Sequence, residues 1–337
     1  MNTQYLISIC IPSYNRPSEL KRLLDSIDTN YVKEVQIVVC EDMAPKRVDV
    51  NKVVNKFIQS SKYVLKYIEN PENYGHGRNM RECINQAEGE YIMFMGDDDV
   101  FIPNAFDSFF DFVKRNRHIG YFLRSYAGLD GNTKEYFRYF KDNKFFEPGP
   151  KSYIEHFTKS ISMSGFTIKR KYVKNYTLDI FDETLLYQLY LVAEVCINYP
   201  SAYCNIPFSY VIGDGKSYFG TNEKEKGKYD VGILVSESIN FIIGRYKITE
   251  FIDKKYGLSS TLTIRKITSK YCFPILRDSR KYGRRHFLKQ YKMFKKAKLD
   301  ASIFFYIYYY SLLIMGIKFN VSIIRIIKMV VGRRLKL

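Results

Sequence analysis

Over its first 130 residues the chain alternates between two hydrophobic periods, and that alternation admits few architectures. Tyr5 to Ile11 is a short apolar run closed by Pro12-Ser13-Tyr14-Asn15-Arg16-Pro17. Leu20, Leu23, Leu24 and Ile27 then recur at helical spacing, with Ser18 as a candidate cap. The unit returns as Val35 to Cys40, followed by Val50, Val53, Val54, Phe57 and Ile58 on one helix face. It returns again as Tyr63 to Ile68, a Gly-rich loop and a helix from about Asn79 to Ala87. A fourth unit is Tyr91 to Met95, three aspartates and a helix opening near Pro103. Strands alternating with helices predict an α/β fold, a mostly parallel sheet flanked by helices on both faces. Ligands of such sheets bind beyond the carboxyl ends of the strands, where three of the polar clusters here fall.

Farther along, residues 130–165 are polar, aromatic and turn-rich, which predicts a loop region over a site. Ser162 to Ile168 reads as a strand, and Thr184 to Ile197 as a helix with Leu185, Leu186, Leu189, Val192, Ala193 and Cys196 inward. Gly213-Asp214-Gly215 opens a loop, and the remainder reads as helical. The expected organisation is an α/β domain over 1–212, a basic helical region over 213–300 and an apolar, amphipathic segment over 301–337.

With 46% hydrophobic and 26% charged residues, the composition excludes a disordered chain, a disulfide-stapled scaffold and a collagenous one. Six cysteines without a CxxC or Cys/His cluster read as buried hydrophobes in a reducing compartment. Met1 to Gln4 lead straight into a strand with no secretory pattern, so the expected location is cytoplasmic. The net charge of +18 is uneven, because residues 265–337 hold 19 Lys and Arg against 2 acids.

The strongest chemical signal is an apolar strand running directly into Gly96-Asp97-Asp98-Asp99. Adjacent carboxylates repel one another, so they call for donor groups or a cation, and oxygen ligands suit Mn²⁺ or Mg²⁺. A solvated acidic turn that caps the next helix is the bland alternative. Two features weigh for a ligand: Pro12 to Arg16 follow the first strand and Glu41-Asp42 the second, on one rim of the sheet. Asn70 to Asn79 follow the third, with glycines that let backbone approach a ligand and Arg78 as a phosphate-binding fork at a helix start. His76 lies in that loop and is a candidate donor contact, whereas His118, His156 and His286 read as surface or packing residues.

PSYNRP (12–17), VVCED (38–42), NYGHGRN (73–79) and GDDD (96–99), in that order, resemble the family 2 glycosyltransferases over roughly residues 5–200. The resemblance implies a GT-A (Rossmann-like) fold and inverting transfer of a sugar from a nucleotide-diphosphate donor. Pro12, Tyr14, Arg16 and Asp42 would line the nucleoside pocket, Asp97 would face the ribose and Asp98 would hold the metal. Glu41, Asn73, Gly75 and Arg78 join the implied donor site, and Asp99 joins the metal site. Two departures stand out: Glu41-Asp42-Met43-Ala44 replaces the usual Asp-Asp-Gly-Ser, and Gly96 stands where many members carry an aspartate. The resemblance also calls for an acidic general base on the acceptor side. Glu183 is the first candidate and Asp182 the second, although both could equally cap the helix that follows.

The tail carries its own expectation. Arg284, Arg285, Lys289, Lys292, Lys295, Lys296 and Lys298, interleaved with Phe287, Leu288, Tyr291 and Phe294, form a basic amphipathic segment. Nucleic acid would use the same charge, but no reading module accompanies it. Ala301 to Ile317 is uncharged and at the short limit for a spanning helix, so the expectation is a segment lying on an anionic membrane surface rather than crossing it. Together these readings describe a peripheral enzyme at the inner face of the cell membrane, acting on a glycan or lipid-linked acceptor in O-antigen or capsule assembly. A metal-dependent nucleotidyltransferase and a polyanion-binding protein are the rival classes.

Overall fold

β1 (Ile7–Ser13), α1 (Pro17–Asp25) and β2 (Val35–Glu41) open the fold, and both strands are buried almost throughout because each face of the sheet is covered. α2 (Arg47–Ser60), β3 (Val64–Glu69), α3 (His76–Gln86), β4 (Tyr91–Phe94), β5 (Val100–Phe101) and α4 (Phe106–Arg115) follow. Then come β6 (Tyr121–Arg124), β7 (Tyr126–Asp130), β8 (Thr133–Phe137), β9 (Lys144–Phe146), α5 (Pro150–Phe157), β10 (Phe166–Lys169) and α6 (Arg170–Val173). α7 (Tyr187–Asn198), β11 (Ser201–Cys204) and β12 (Ser209–Ile212) complete the first of two compact units, Met1–Lys226 and Gly227–Leu337. This computed structural model describes residues 4–130, 133–176, 178–212 and 234–331.

Eight strands form one sheet in the order β3-β2-β1-β4-β10-β6-β11-β9, and β5-β12-β7-β8 form a second. β3, β2, β1 and β4 run parallel, with Cys10 opposite both Val38 and Phe94, so their carboxyl ends share one rim. β10 runs antiparallel between β4 and β6, which brings its amino end and the carboxyl end of β6 to that same rim. Leu20, Leu23 and Leu24 of α1 are fully buried, each contributing about 1.5–3 kcal/mol of transfer free energy to the core.

Several boundaries differ from the sequence expectation, for local backbone reasons. α3 starts at His76 rather than Asn79, directly after Gly75 at φ 76°, and α4 starts at Phe106 rather than Pro103, beyond Asn104 at φ 60°. The strand expected from Ser162 begins at Phe166, past Gly165 at φ 82°. The helix expected from Thr184 begins at Tyr187, because Asp182–Thr184 form a 3-10 turn and Leu185 is left-handed at φ 55°. Residues 130–165 are not one loop; they contain β8, β9 and α5, ordered by ring packing such as Tyr126 stacked on Phe137 at 4.9 Å. The expected loop at Gly213-Asp214-Gly215 lies outside the described residues.

All six cysteines are buried and unbridged. His156 is a packing residue: burial, helped by Lys159 and Lys144, lowers its pKa to about 3, and its Nε2 lies 2.7 Å from Ser201 Oγ. The second unit comprises α8 (Leu234–Tyr256), α9 (Ser260–Lys270), α10 (Phe273–Lys281), α11 (Arg284–Lys296) and α12 (Ile303–Val331). Asp253 of α8 caps α9 by accepting the backbone N–H groups of Ser260 at 2.8 Å and Thr261 at 2.9 Å. α12 packs on α9, α10 and α11 and is broken at Gly316, φ 76°.

Candidate active site

The register of β1 with β4 places the Tyr14-Asn15-Arg16 loop beside the aspartate run. Asn15, left-handed at φ 62°, turns the chain, and Asp97 accepts the Tyr14 N–H at 3.1 Å and Arg16 Nη1 at 2.7 Å. Arg16 Nη1 also lies 3.0 Å from Asp98 Oδ2. Burial raises the Asp97 pKa to about 6; Arg16 opposes the shift and neighbouring Asp98 adds to it. Arg22 of α1 donates to the Asp98 backbone carbonyl at 2.7 Å, fixing the turn from which this side chain projects.

The three consecutive aspartates therefore meet different surroundings. Asp97 and Asp99 are buried, whereas the Asp98 side chain is 25% exposed. Asp99 accepts the Ser164 hydroxyl and, at 3.0 Å, the Ile212 N–H; burial, together with Asp98, raises its pKa to about 7. Ser164 Oγ in turn accepts the Gly96 N–H at 3.0 Å. A Cβ on Gly96 would stand 3.0 Å from Asp98 Oδ1 and 3.2 Å from Ser164 Oγ, so the glycine leaves room for the carboxylate. Arg124, at the end of β6, is buried and holds the Ser164 carbonyl at 2.7 Å and Ser162 Oγ at 3.1 Å. The resemblance singles out Ser162 to Phe166 as a strand bordering the acceptor site, whereas Arg22 of α1 and Arg124 of β6 carry no sequence motif.

The neighbouring loops are organised by Asp42. Its carboxylate accepts Asn70 Nδ2 at 3.0 Å, the Tyr74 N–H at 2.6 Å and the Gly75 N–H at 2.9 Å, while Asn73 Nδ2 donates to its backbone carbonyl at 2.7 Å. Burial raises the Asp42 pKa, and those donors oppose the rise. Gly75 thereby directs the amino end of α3 to the rim, and Arg78 stacks 3.6 Å over the Tyr74 ring while pairing with Glu72 at 2.9 Å. Pro12 sits opposite Cys40, and Ser13 Oγ, Asn70 Oδ1 and Asn73 Oδ1 are buried polar atoms with hydrogen-bonding capacity to spare. Glu41 is not brought to the open part of the rim. It is fully buried and accepts the Ala44 N–H at 2.6 Å, the Met43 N–H at 3.1 Å and Arg47.

Asp182 is held by Arg81 of α3, through Nε at 3.1 Å and a second guanidinium contact. Its turn lies so close to α3 that a Cβ on Gly77 would be 2.5 Å from Asp182 Cα. Burial raises the Asp182 pKa and Arg81 opposes the rise. Glu183 occupies the same 3-10 turn, and its side chain lies outside the described residues.

Among the described residues no group of three or more His, Cys, Asp or Glu forms a ready-made metal cage. The donor set still fits Mg²⁺ or Mn²⁺, which commonly takes one or two carboxylates and completes its shell with water and substrate phosphate. Asp98 is the carboxylate with exposed surface to offer.

Comparison with known proteins agrees with this fold. An uncharacterized glycosyltransferase of Methanocaldococcus jannaschii is 27% identical over 177 residues, covering 52% of this chain and 59% of that protein. The GalNAc(5)-diNAcBac-PP-undecaprenol beta-1,3-glucosyltransferase of Campylobacter jejuni is 31% identical over 101 residues, 29% of this chain and 31% of that protein. The chain thus spans less than two thirds of the length of either relative. Among solved structures, S. aureus TarS 1-349 in complex with UDP-GlcNAc has a TM-score of 0.52 at 16% identity, with 90% of each chain covered. The mannosyltransferase PcManGT of Pyrobaculum calidifontis, in complex with GDP-Man and Mn²⁺, has a TM-score of 0.50 at 13% identity, covering 89% of this chain and 86% of that one. These likenesses show a fold of the GT-A type. The model of glycosyl transferase family 2 matches residues 8–177, half of the chain, including the loops of Asp42 and Asp97, so the chain belongs to that family.

Proposed function

We infer that the protein is an inverting glycosyltransferase, moving a sugar from a nucleotide-diphosphate donor to a lipid-linked glycan acceptor in bacterial surface-polysaccharide assembly. The observation that carries this reading is the rim itself. Two loops, one tied to Asp97 and one to Asp42, flank a partly exposed Asp98 at the carboxyl ends of parallel strands. Tyr14, Arg16, Asn73 and Asp97 bind the nucleoside, with Pro12 lining its pocket and Asp42 shaping it. Gly75 and the amino end of α3 receive the diphosphate, where backbone N–H groups and the helix dipole favour an anion, and Arg78 adds a guanidinium fork.

Mn²⁺ or Mg²⁺ would be held by Asp98, with Asp99 behind it, and would neutralise charge on the departing nucleoside diphosphate. The Pyrobaculum structure, in complex with GDP-Man and Mn²⁺, supports that class of ion. Arg16, at 3.0 Å from Asp98, orients this carboxylate. On the acceptor side Glu183 takes the hydroxyl proton as that oxygen bonds to the anomeric carbon, the bond from this carbon to the nucleoside diphosphate breaks and the configuration there inverts. Asp182 is the second candidate, but Arg81 already engages its carboxylate. The undecaprenol-linked substrate in the Campylobacter relative's name supports a lipid-linked acceptor, and hence work at the inner face of a cell membrane.

The test is release of nucleoside diphosphate by the full chain with Mn²⁺ and a panel of UDP-, GDP-, CDP- and dTDP-sugars, with and without polyprenol-linked glycan. Acceptor-dependent release is expected. Release of pyrophosphate instead would make the protein a nucleotidyltransferase.

A further inference from the structure

α12 shows two apolar faces with different fates. Phe305, Tyr309 and Leu312 are buried, and Tyr309 packs against Phe287 of α11 at 4.7 Å and Tyr291 at 4.8 Å. On the opposite side Ile303 (66% exposed), Ile307 (53%), Tyr310 and Ile314 (74%) recur at spacings of three and four residues, one straight stripe open to solvent. After the break at Gly316 a second stripe, Phe319, Ile323 and Ile326, lies exposed beside the exposed cations Lys318 and Arg325. Exposed apolar area of this kind marks an interaction surface.

We propose that the outer face of α12 lies in the plane of an anionic lipid bilayer, with the helix embedded in the interface rather than passing through it. This goes beyond the catalytic reading and does not depend on it. Charge selects the occupant. The acids of residues 265–337 are Asp278 and Asp300, and both are near cations: Asp278 lies 2.8 Å from Lys281, and Asp300 lies 3.8 Å from Lys295. Arg277 also pairs with Asp278, and Arg265 with Glu250, but 19 Lys and Arg against 2 acids leave this region with a large net positive charge, which a second copy of the same surface would repel and an anionic leaflet would attract.

Geometry selects the depth. Ile303–Ile326 is long and apolar enough to cross a membrane as one continuous helix, but the part before the break at Gly316 is only about 20 Å long at the α-helical rise, against a hydrocarbon core of about 30 Å. The break is closed within the protein: Asn320, itself buried, donates to the Gly316 carbonyl at 2.7 Å and accepts Ser311 Oγ at 2.5 Å. Crossing a bilayer would strip Phe305, Tyr309 and Leu312 from α10 and α11 and carry Lys318 and Arg325 into hydrocarbon. Lying flat costs neither, and the apolar stripes then sit at the depth of the headgroup and acyl boundary.

The chain contains no tryptophan, so a single introduced indole reports its own surroundings. Full-length Ile314→Trp and Phe319→Trp proteins are mixed with vesicles of phosphatidylcholine alone or with phosphatidylglycerol. A blue shift is expected only with the anionic vesicles. At both sites, quenching should be stronger by lipids brominated near the headgroup end of the acyl chain than by lipids brominated near its terminal methyl. Raising salt from about 0.1 M to 1 M shortens the Debye length from about 10 to 3 Å and should release part of the protein, with detergent releasing the rest. Ile307→Asp with Ile314→Asp should weaken vesicle binding at least tenfold with unchanged helical circular dichroism, since both side chains are already solvated. Strongest quenching of the Ile314→Trp indole from the bilayer centre would overturn the proposal in favour of a span. No shift with any vesicle, with sedimentation at twice the chain mass, would overturn it in favour of a second copy. Donor turnover is measured on the same variants in detergent, so failure of the membrane proposal and failure of the catalytic reading appear in different assays.

Discussion

Asp97, Asp98 and Asp99 are consecutive, yet each carboxylate is put to a different use by what surrounds it. Asp98→Asn preserves size and removes the charge on the exposed member, so transfer should fall by about a hundredfold or more while the fold survives. Activity in excess chelator should fall equally, and full turnover in either experiment would exclude a metal-assisted mechanism. The buried members leave a signature in stability. Asp97, raised to about 6, and Asp99, raised to about 7, hold protons in the native state that the unfolded chain has already released. Their contribution to native stability is therefore greatest below about pH 4, falls as pH rises to about 7, and is flat above, with a slope of at most about 1.4 kcal/mol per unit for each group, while buried neutral His156 contributes with the opposite sign as pH falls below about 6.5. Asp99→Asn should remove the upper part of that slope, read from urea midpoints against pH in chelator. At the neighbouring turn, Glu183→Gln should lower kcat by roughly 10²–10⁴ and leave nucleotide affinity unchanged. If Asp182→Asn is the inactive variant and Glu183→Gln turns over normally, the base is Asp182.

α3 is the element that joins the two sides of the site. Its amino end is held to β2 through Gly75 and Asp42, and its first turns carry Gly77 and Arg81 against the Asp182 turn. Gly77→Ala tests this directly, because two effects of opposite sign compete. Helix propensity favours alanine by about 1 kcal/mol, whereas the new Cβ meets Asp182 backbone at 2.5 Å, where overpacking costs typically about 1–3 kcal/mol. The variant should be destabilised on balance and lose kcat more than donor affinity. Arg81→Gln should produce the same kcat-weighted loss without the steric term, and Arg81→Lys should recover little, since a point charge cannot reproduce the two-armed contact.

For the molecule as a whole, ligand linkage is the most accessible reading of the assembled rim. A nucleoside diphosphate that binds only the native state at a hundred times its Kd stabilises by about 2.7 kcal/mol. Thermal shift should therefore be larger for nucleotide with Mn²⁺ than for either alone, and in Asp98→Asn the metal should add nothing. An equal shift in that variant would place the ion elsewhere. The charge distribution acts at the same scale, since the excess of Lys and Arg is concentrated in residues 265–337, far along the sequence from the rim motifs.

The alternation of strand and helix periods determines the α/β class, because covering both faces of a parallel sheet leaves apolar runs and amphipathic spacings that are local and readable. The same locality puts Arg16, Asp42, Gly75 and Asp98 at strand ends, and the charge count alone marks the tail as basic. Which carboxylate stays exposed is not local. It depends on Arg22, Ser164 and Ile212, up to 113 residues away from their partners, and on β10 entering the sheet antiparallel so that Ser164 reaches the rim. The engagement of Asp182 by Arg81 spans 101 residues and has no sequence signature. Nor does the division of α12 into a packed face and an open one, since both faces are apolar and periodicity cannot say which finds a partner. Hydrophobic period is written along the chain, whereas the partner of a charge or of an apolar face exists only once distant segments are brought together.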